Sequence, residues 1–273
     1  MFLDMRCWND IVRRAVVRLP PRAMSTGVNL SVPPLVARFR AGNSVDDALV
    51  DLPGRLDTFS RESVSEMLVA MGYFGEYSSE SYETVVSYLN RTAVERRGPQ
   101  PDLFDLKRFE CMIRCGLIPN LSFDSFSKYN QRFLLTVRSR QLEVDQEPSE
   151  LDDEVAELVK DISEQFYDSV VLGPYTLRFC KLGEPGITVR KAEKDPDLRT
   201  LVRRFVCVEV LDSDSFVSGR EMSPHATIRQ AILARLGVIC VQVPYFDWLK
   251  LPDAQAKRLY LHSVISSPDS PPS

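Results

Sequence analysis

Histidine is scarce in this chain, and the two that occur, His225 and His262, cannot be assembled with serine and aspartate into a catalytic triad. The six cysteines form no C-x-x-C pair, so reduced and buried thiols are the expected state, and neither a metal nor a cofactor is expected. No apolar run approaches the roughly 20 residues that cross a bilayer, which excludes a transmembrane segment.

An overall excess of basic residues is also missing. The chain has 34 Lys and Arg against 38 Asp and Glu, a net charge of -4, which argues against a general nucleic-acid binder because phosphate binding depends on Lys and Arg. The acids are concentrated in residues 143–174, where one Lys faces 11 acids, whereas residues 175–273 hold 14 basic and 11 acidic residues. The C-terminal part is therefore mildly basic.

The first 24 residues combine apolar side chains at near-helical spacing with five arginines. This pattern is typical of a mitochondrial targeting helix, although Asp4 and Asp10 argue against one, and the alternative is a helix docked on the body of the protein. If retained, its arginine face would contact RNA or a partner. Residues 25–56 contain three prolines and are interpreted as an extended connector.

Residues 57–142 are predicted to be entirely helical, with candidate helices at 60–71, 80–92, 103–115 and 123–138. A shift of 44 residues superimposes the first pair of helices on the second, for example Gly72 on Gly116. That spacing is typical of a helical-hairpin repeat, and chance similarity is the alternative. Residues 143–174 are interpreted as an acidic linker followed by an amphipathic helix.

The segment from residue 205 to residue 265 predicts the order strand, helix, strand, helix. The run FVCVEVL at 205–211 is apolar except for Glu209, as expected for a strand covered on both faces. Gly237 stands where a helix commonly ends, and Pro244 closes the second strand, Val238 to Val243. We therefore expect an α/β unit with a parallel pair of strands, preceded by a strand at 175–182.

The same segment resembles the RAP domain, a module found at the C-terminus of organellar RNA-metabolism proteins. The resembling positions are Glu209, Phe216, Thr227, Arg229, Leu233, Gly237, the run VQVPY at 241–245, Trp248, Leu251, Lys257, Tyr260 and Leu261. The resemblance implies a restriction-endonuclease-like fold and a role in RNA binding or processing, usually in mitochondria or plastids.

The fold class expected from these observations is an α+β chain in two parts. An N-terminal α-helical hairpin region is followed by an α/β, restriction-endonuclease-like RAP module at residues 175–267, with a disordered tail at 268–273.

RNA would be bound by basic side chains together with an aromatic ring, Tyr245 or Trp248, that stacks on unpaired bases. For Trp248 the alternative is core packing, and for the basic residues it is a solvated surface. The candidate RNA-binding residues are Arg203, Arg204, Arg229, Arg235, Tyr245, Trp248, Lys250, Lys257 and Arg258.

A metal-dependent nuclease would need clustered carboxylates, for which Glu209, Asp212 and Asp214 are the candidates. The RAP family commonly has Asp and Gly two and three residues after the strand glutamate, whereas this chain has Leu211 and Asp212. The following strand also lacks an acid-x-Lys pattern. We therefore expect no catalytic residues, and interpret Glu209 as a partnered acid and the two aspartates as turn residues.

The function expected is that of a mitochondrial RNA-binding protein, not an enzyme, that acts on or within the mitochondrial ribosome. Its expected partners are organellar rRNA or mRNA and other proteins of a mitochondrial ribonucleoprotein. The alternatives are a structural subunit of a large mitochondrial assembly that does not read RNA, and a divalent-metal endoribonuclease.

Overall fold

The computed structural model describes residues 37–43, 52–75, 77–95, 101–140, 149–162, 166–167, 170–182 and 205–266. Helices fill the described part of the chain up to residue 162, and strands begin at Phe166. The chain is therefore a mixed α+β protein with a helical N-terminal part and a sheet-containing C-terminal part, as expected.

Residues 37–40 are helical, and six further α-helices lie between Leu52 and the first strand in the described residues. Their bounds are α1 Leu52–Arg55, α2 Arg61–Phe74, α3 Ser79–Glu95, α4 Leu103–Arg114, α5 Lys128–Ser139 and α6 Glu150–Ile162.

Polar residues at the N-caps determine where these helices begin. Ser60 accepts a hydrogen bond from the backbone of Ser63 at the start of α2, and Asp102 accepts two from the first turn of α4. Ser127 caps α5 in the same way through Asn130. Each cap satisfies a backbone N–H that has no partner inside the helix.

The helices pack as two hairpins, α2 with α3 and α4 with α5, and α2 also packs on α4. Inside this bundle Asn90 of α3 donates to Asn130 of α5 over 3.1 Å, so the buried amides satisfy each other. The hairpins lie where the 44-residue shift predicts them, and the repeat itself stays a prediction.

Strands dominate the remainder, with two further helices at the end and one between the parallel strands. The strands are β1 Phe166–Tyr167, β2 Val170–Leu172, β3 Tyr175–Leu177, β4 Cys180–Leu182, β5 Phe205–Leu211, β6 Phe216–Ser218, β7 Glu221–Met222 and β8 Val238–Pro244. The helices are α7 Pro224–Arg235, α8 Tyr245–Trp248 and α9 Ala254–Ser266.

The main sheet has the order β1-β4-β5-β8. β5 and β8 run parallel with Phe205 opposite Val238 and Leu211 opposite Pro244, whereas β4 is antiparallel to β5. Helix α7 connects the parallel strands and ends before Gly237, whose φ of 83° fits the left-handed turn that glycine favours. The predicted parallel pair is confirmed.

Both faces of this sheet are covered. On one face Cys180, Cys207 and Val238 join the hydrophobic core of the helical bundle, and on the other Val208 and Val243 pack against α6, Trp248 and α9. The alternation follows from the period of two along a strand. The helical part and the sheet therefore share one core.

Three details differ from the sequence prediction. The strand expected at 175–182 is divided into β3 and β4 by Phe179, whose φ is 54°. Strands β1 and β2 precede residue 175, and the polar stretch after β5 contains the hairpin β6–β7. Residues 1–24 and the tail at 268–273 lie outside the described residues, as does most of the connector.

No helix in the described ranges is both long enough and apolar enough to cross a bilayer. Of the six cysteines, the five that the structure describes are free thiols. Three of them, Cys180, Cys207 and Cys240, form a row across neighbouring strands. A hydrogen bond with Cys180 and burial raise the pKa of Cys207, and burial raises that of Cys240, so Cys207 and Cys240 are protonated packing groups.

Polar side chains join the helical bundle to α7. Arg108 of α4 donates to Nδ1 of His225 at 2.5 Å, and Nε2 of His225 lies 3.2 Å from Oε1 of Glu66. Because arginine only donates, Nδ1 must accept, and the ring proton of His225 is therefore on Nε2, which donates to Glu66. Arg40 donates twice more to the same carboxylate.

The pKa values of two acids in this network, Glu66 and Asp105, are shifted in opposite directions. Burial disfavours the charged form of Glu66, but hydrogen bonds from His225 and Arg40 outweigh burial and lower its pKa. Burial raises the pKa of Asp105 to about 6, although its ion pair with Arg108 offsets part of the effect. Asp105 is thus a buried acid that keeps its proton to a higher pH than an exposed aspartate does.

The Asp105→Asn variant tests this assignment. An acid whose pKa is raised on folding binds more protons in the folded state, so its contribution to stability falls as the pH rises from about 4 to about 6. The shift of roughly two pKa units is worth about 3 kcal/mol. Relative to wild type, Asp105→Asn should become more stable by about 2 kcal/mol between pH 4.5 and pH 7, measured by urea unfolding, since the rest of the difference arises below pH 4.5. A stability difference that does not change with pH would contradict the assignment.

Candidate nucleic-acid interface

The carboxyl ends of β5 and β8 lie side by side, because the two strands are parallel and Leu211 is opposite Pro244. Pro244 has no backbone N–H and ends the ladder there, and the chain turns directly into the one-turn helix α8. After β5, Asp212 begins a 3-10 turn that leads to the β6–β7 hairpin. In open α/β sheets this edge is where ligands commonly bind.

Three aromatic rings gather at this edge, Phe216 from β6 and Tyr245 and Phe246 from α8. The centroid of the Phe216 ring lies 6.0 Å from that of Tyr245 and 5.0 Å from that of Phe246, and the two α8 rings are 5.4 Å apart. Each of the three residues is half-buried, so the cluster packs partly against the protein and is partly exposed to solvent.

Two cations lie close to the Phe246 ring. The guanidinium carbon of Arg220 is 5.2 Å from the ring centroid and Nζ of Lys250 is 5.7 Å from it. Asp247 receives a hydrogen bond of 3.2 Å from each of them. The Arg220 and Lys250 side chains are 69% and 68% exposed, so these ion pairs are weak and leave both cations open to another anion.

We call Phe216, Arg220, Tyr245, Phe246 and Lys250 the cation-aromatic patch. Aromatic rings offer a face on which unpaired bases stack, and neighbouring Lys and Arg attract the phosphates between the bases. The patch contains both kinds of group on one edge, and its chemistry fits a single-stranded nucleic acid.

Residues 208–264 match the family model of the RAP domain. This part of the chain is a RAP domain. The match begins inside β5 and ends inside α9, and it contains the whole cation-aromatic patch. A RAP domain suggests that the protein binds RNA. No curated protein matches the chain.

The patch includes only two of the predicted RNA-binding residues, Tyr245 and Lys250. Exposed Arg235 lies at the end of α7, which leads into the first residue of β8, so it is at the opposite edge of the sheet. Arg203 and Arg204 lie outside the described residues.

Trp248 of the RAP domain is fully buried, and the stacking on bases that we considered for it is wrong. Its indole N–H donates to Oε2 of Glu154 at 2.8 Å, and Tyr260 meets its ring edge-to-face. Since Tyr245 and Phe246 share a single helical turn with Trp248, only part of the turn faces the core, and Trp248 occupies that part.

Three other predicted contacts are used inside the protein. Arg229 forms an ion pair with Glu209, Lys257 donates to Glu154 at 2.6 Å, and Arg258 donates to Asp161 at 2.5 Å. Hydrogen bonds from Lys257 and Trp248 lower the pKa of Glu154. The acidic helix α6 is thus the partner of α9.

The three nuclease candidates do not form a metal centre. The Glu209 side chain is 6% exposed and is paired with Arg229, whereas Asp212 accepts hydrogen bonds from the backbone and hydroxyl of Ser215. Asp214 is exposed on the 3-10 turn. Within the ranges that the structure describes, no three His, Cys, Asp or Glu residues are grouped so that they could hold a metal ion.

Phe216, Arg220 and Phe246 were missed as site residues. A local signal existed for Arg220, because it follows Gly219, which has a φ of 54° in the turn between β6 and β7, and residues at a hairpin turn point into solvent. Phe246 carries no such signal, since the sequence does not tell which of the aromatic residues after Pro244 is buried.

The Glu209–Arg229 pair should matter for stability more than for binding. The Arg229 side chain is 26% exposed and also lies over the ring of Tyr175, 4.9 Å from its centroid. Arg229→Met would leave the Glu209 carboxylate buried without its partner, which costs about 3–5 kcal/mol. Urea unfolding should detect that loss.

The control is Arg235→Met at the exposed end of the same helix, which should change stability by no more than about 0.5 kcal/mol. Equal stability of the Arg229 and Arg235 variants would show that the buried pair contributes nothing.

Proposed function

We propose that this protein binds single-stranded RNA through the cation-aromatic patch of its RAP domain. The observation that carries the proposal is the Phe246 ring, half-buried at the carboxyl edge of the parallel strands, with Arg220 and Lys250 both close to it, 5.2 Å and 5.7 Å from its centroid. The ring supplies a stacking surface and the two cations supply contacts to phosphate.

The proposal extends to a non-catalytic role. The acid of β5 is neutralised by Arg229, and the aspartates after the strand serve in a turn, so the residues that a divalent-metal nuclease would use have other partners. A restriction-endonuclease-like fold of this module is part of the same proposal, supported by β4, β5 and β8 with their crossover helix α7.

We further propose that the RNA is mitochondrial and that the protein works on or within the mitochondrial ribosome. The support is the arginine-rich, amphipathic sequence of residues 1–24 and the family's usual place in organellar RNA metabolism. The alternative of a structural subunit that does not read RNA predicts co-sedimentation with ribosomal subunits without affinity of the purified protein for RNA.

Phe246→Ala tests the stacking surface. Loss of one base–aromatic stack is worth about 1–3 kcal/mol, so the affinity for a labelled single-stranded RNA should fall about tenfold or more in a fluorescence anisotropy titration. A matched control is Tyr88→Ala on α3, which also removes a half-buried aromatic ring with an arginine, Arg91, 5.9 Å from its centroid. If both variants bind RNA as tightly as wild type does, the patch is not the binding site.

The nuclease alternative has its own experiment. Incubation of labelled single-stranded RNA with the protein and Mg²⁺ should leave the RNA intact. Cleavage that requires Mg²⁺ and is lost in a folded Glu209→Gln variant would replace the non-catalytic role with that of a metal-dependent endoribonuclease.

A further inference from the structure

The exposed face of α5 is positively charged along its whole length. The chain has no Asp or Glu between Asp124 and Glu143, and this interval contains Lys128, Arg132 and Arg138 within the helix. Helices of soluble proteins commonly mix both signs of charge, so an interval without acids that faces solvent indicates an anionic partner.

None of these three side chains forms an ion pair with another residue that the structure describes. Lys128 donates only to the neutral amide of Gln131, over 3.2 Å. The acid next to the start of the helix, Glu83, accepts a hydrogen bond from the backbone N–H of Ser127. Among the residues that the structure describes, the cations of α5 therefore have no acidic partner of the kind that Arg258 and Lys257 have on α6.

Apolar surface accompanies the charge. Tyr129 and Leu135 of α5 are 57% and 48% exposed, whereas Leu134 and Val137 on the opposite side of the helix are buried. A polyanion without aromatic or apolar parts would gain nothing from such residues. A nucleic acid with unpaired bases would bury them.

A cavity of about 580 Å³ opens beside the same face, between α4, the loop that follows it and the C-terminal half of α5. This volume lies in the range of roughly 300–1,000 Å³ that is usual for ligand pockets. Its apolar lining includes Ile113, Leu121, Phe123 and Leu135.

The polar groups that line the cavity are of two kinds, those paired within the protein and those available to a ligand. Arg114 is paired with Glu110 at 3.3 Å, which neutralises the most buried charge of the wall. The lining also contains Arg138, which can meet a phosphate, and exposed Asp124, whose carboxylate can accept a hydrogen bond from an amino group of a base.

We propose that α5 and this cavity form a second contact for single-stranded RNA. Phosphates bind to Lys128, Arg132 and Arg138, which follow one another over about 15 Å of helix, and one unpaired base enters the cavity against Phe123 and Leu135. The inference rests on the proposed RNA binding of the RAP domain and adds a site outside residues 208–264.

Two variants of the full-length protein test the two halves of this contact, with a fluorescein-labelled 12-nucleotide oligouridylate as the probe. Lys128→Gln/Arg132→Gln removes two phosphate contacts, so the slope of log affinity against log salt should become shallower by about 1 to 2. Its matched control is Arg38→Gln/Lys160→Gln, which removes the same charge from exposed residues elsewhere.

Leu135→Glu tests the cavity, since it puts a carboxylate at the mouth on a side chain that is already half exposed. The affinity for the probe should fall about tenfold, the equivalent of one lost base contact. Circular dichroism and urea unfolding check that each variant is folded.

The outcomes separate this inference from the function on which it rests. Wild-type protein that does not bind the probe at all overturns both. If wild type binds and Phe246→Ala weakens binding, but the α5 variants bind as their matched control does, the α5 contact is overturned and the RAP-domain site stands. A further outcome is that polyglutamate displaces the probe from wild type as effectively as unlabelled RNA does, but no longer does so in the α5 variants. That result would make α5 a docking surface for an acidic protein and overturn the RNA contact.

Discussion

Seven consecutive residue pairs join β5 to β8 in parallel, from Phe205 opposite Val238 to Leu211 opposite Pro244. A parallel pair needs a crossover connection and is stable only where both of its faces are covered. Helix α7 supplies the crossover, the helical bundle covers one face, and α6 with α9 covers the other. The cation-aromatic patch exists because this arrangement brings the ends of two strands to one edge.

Burial of both faces of the sheet also explains why its buried charge is paired. Glu209 lies within β5, where its carboxylate is almost completely buried, and Arg229 reaches it from α7. The acids of α6 play a comparable part at the outer face, where Glu154 binds both Trp248 and Lys257. Two acids of this helix, Glu154 and Asp161, are thus used to attach α6 to α9.

The strands and helices of the C-terminal part were predictable where nearby residues determine the backbone conformation. The apolar run around Glu209, the helix-ending Gly237 and the strand-ending Pro244 each act within a few residues, and the structure follows them. The pairing of Glu209 with Arg229 was not predictable, because it depends on the placement of α7 across the sheet. The burial of Trp248 and the partial exposure of Phe246 were not predictable for the same reason. The two residues are close in sequence, and only the packing of the helical turn on the core determines which of them is buried.

The core that the bundle shares with the sheet sets the size of the unit that can fold. The family match covers residues 208–264, but the row Cys180, Cys207 and Cys240 crosses its boundary, and Trp248 is closed over by α6. A fragment cut at the limits of the match would lose β4 and α6 and would expose Trp248 and the apolar faces of β5 and β8 to water. The matched segment is therefore smaller than the packed unit, because part of the hydrophobic core that covers the RAP domain comes from residues outside 208–264.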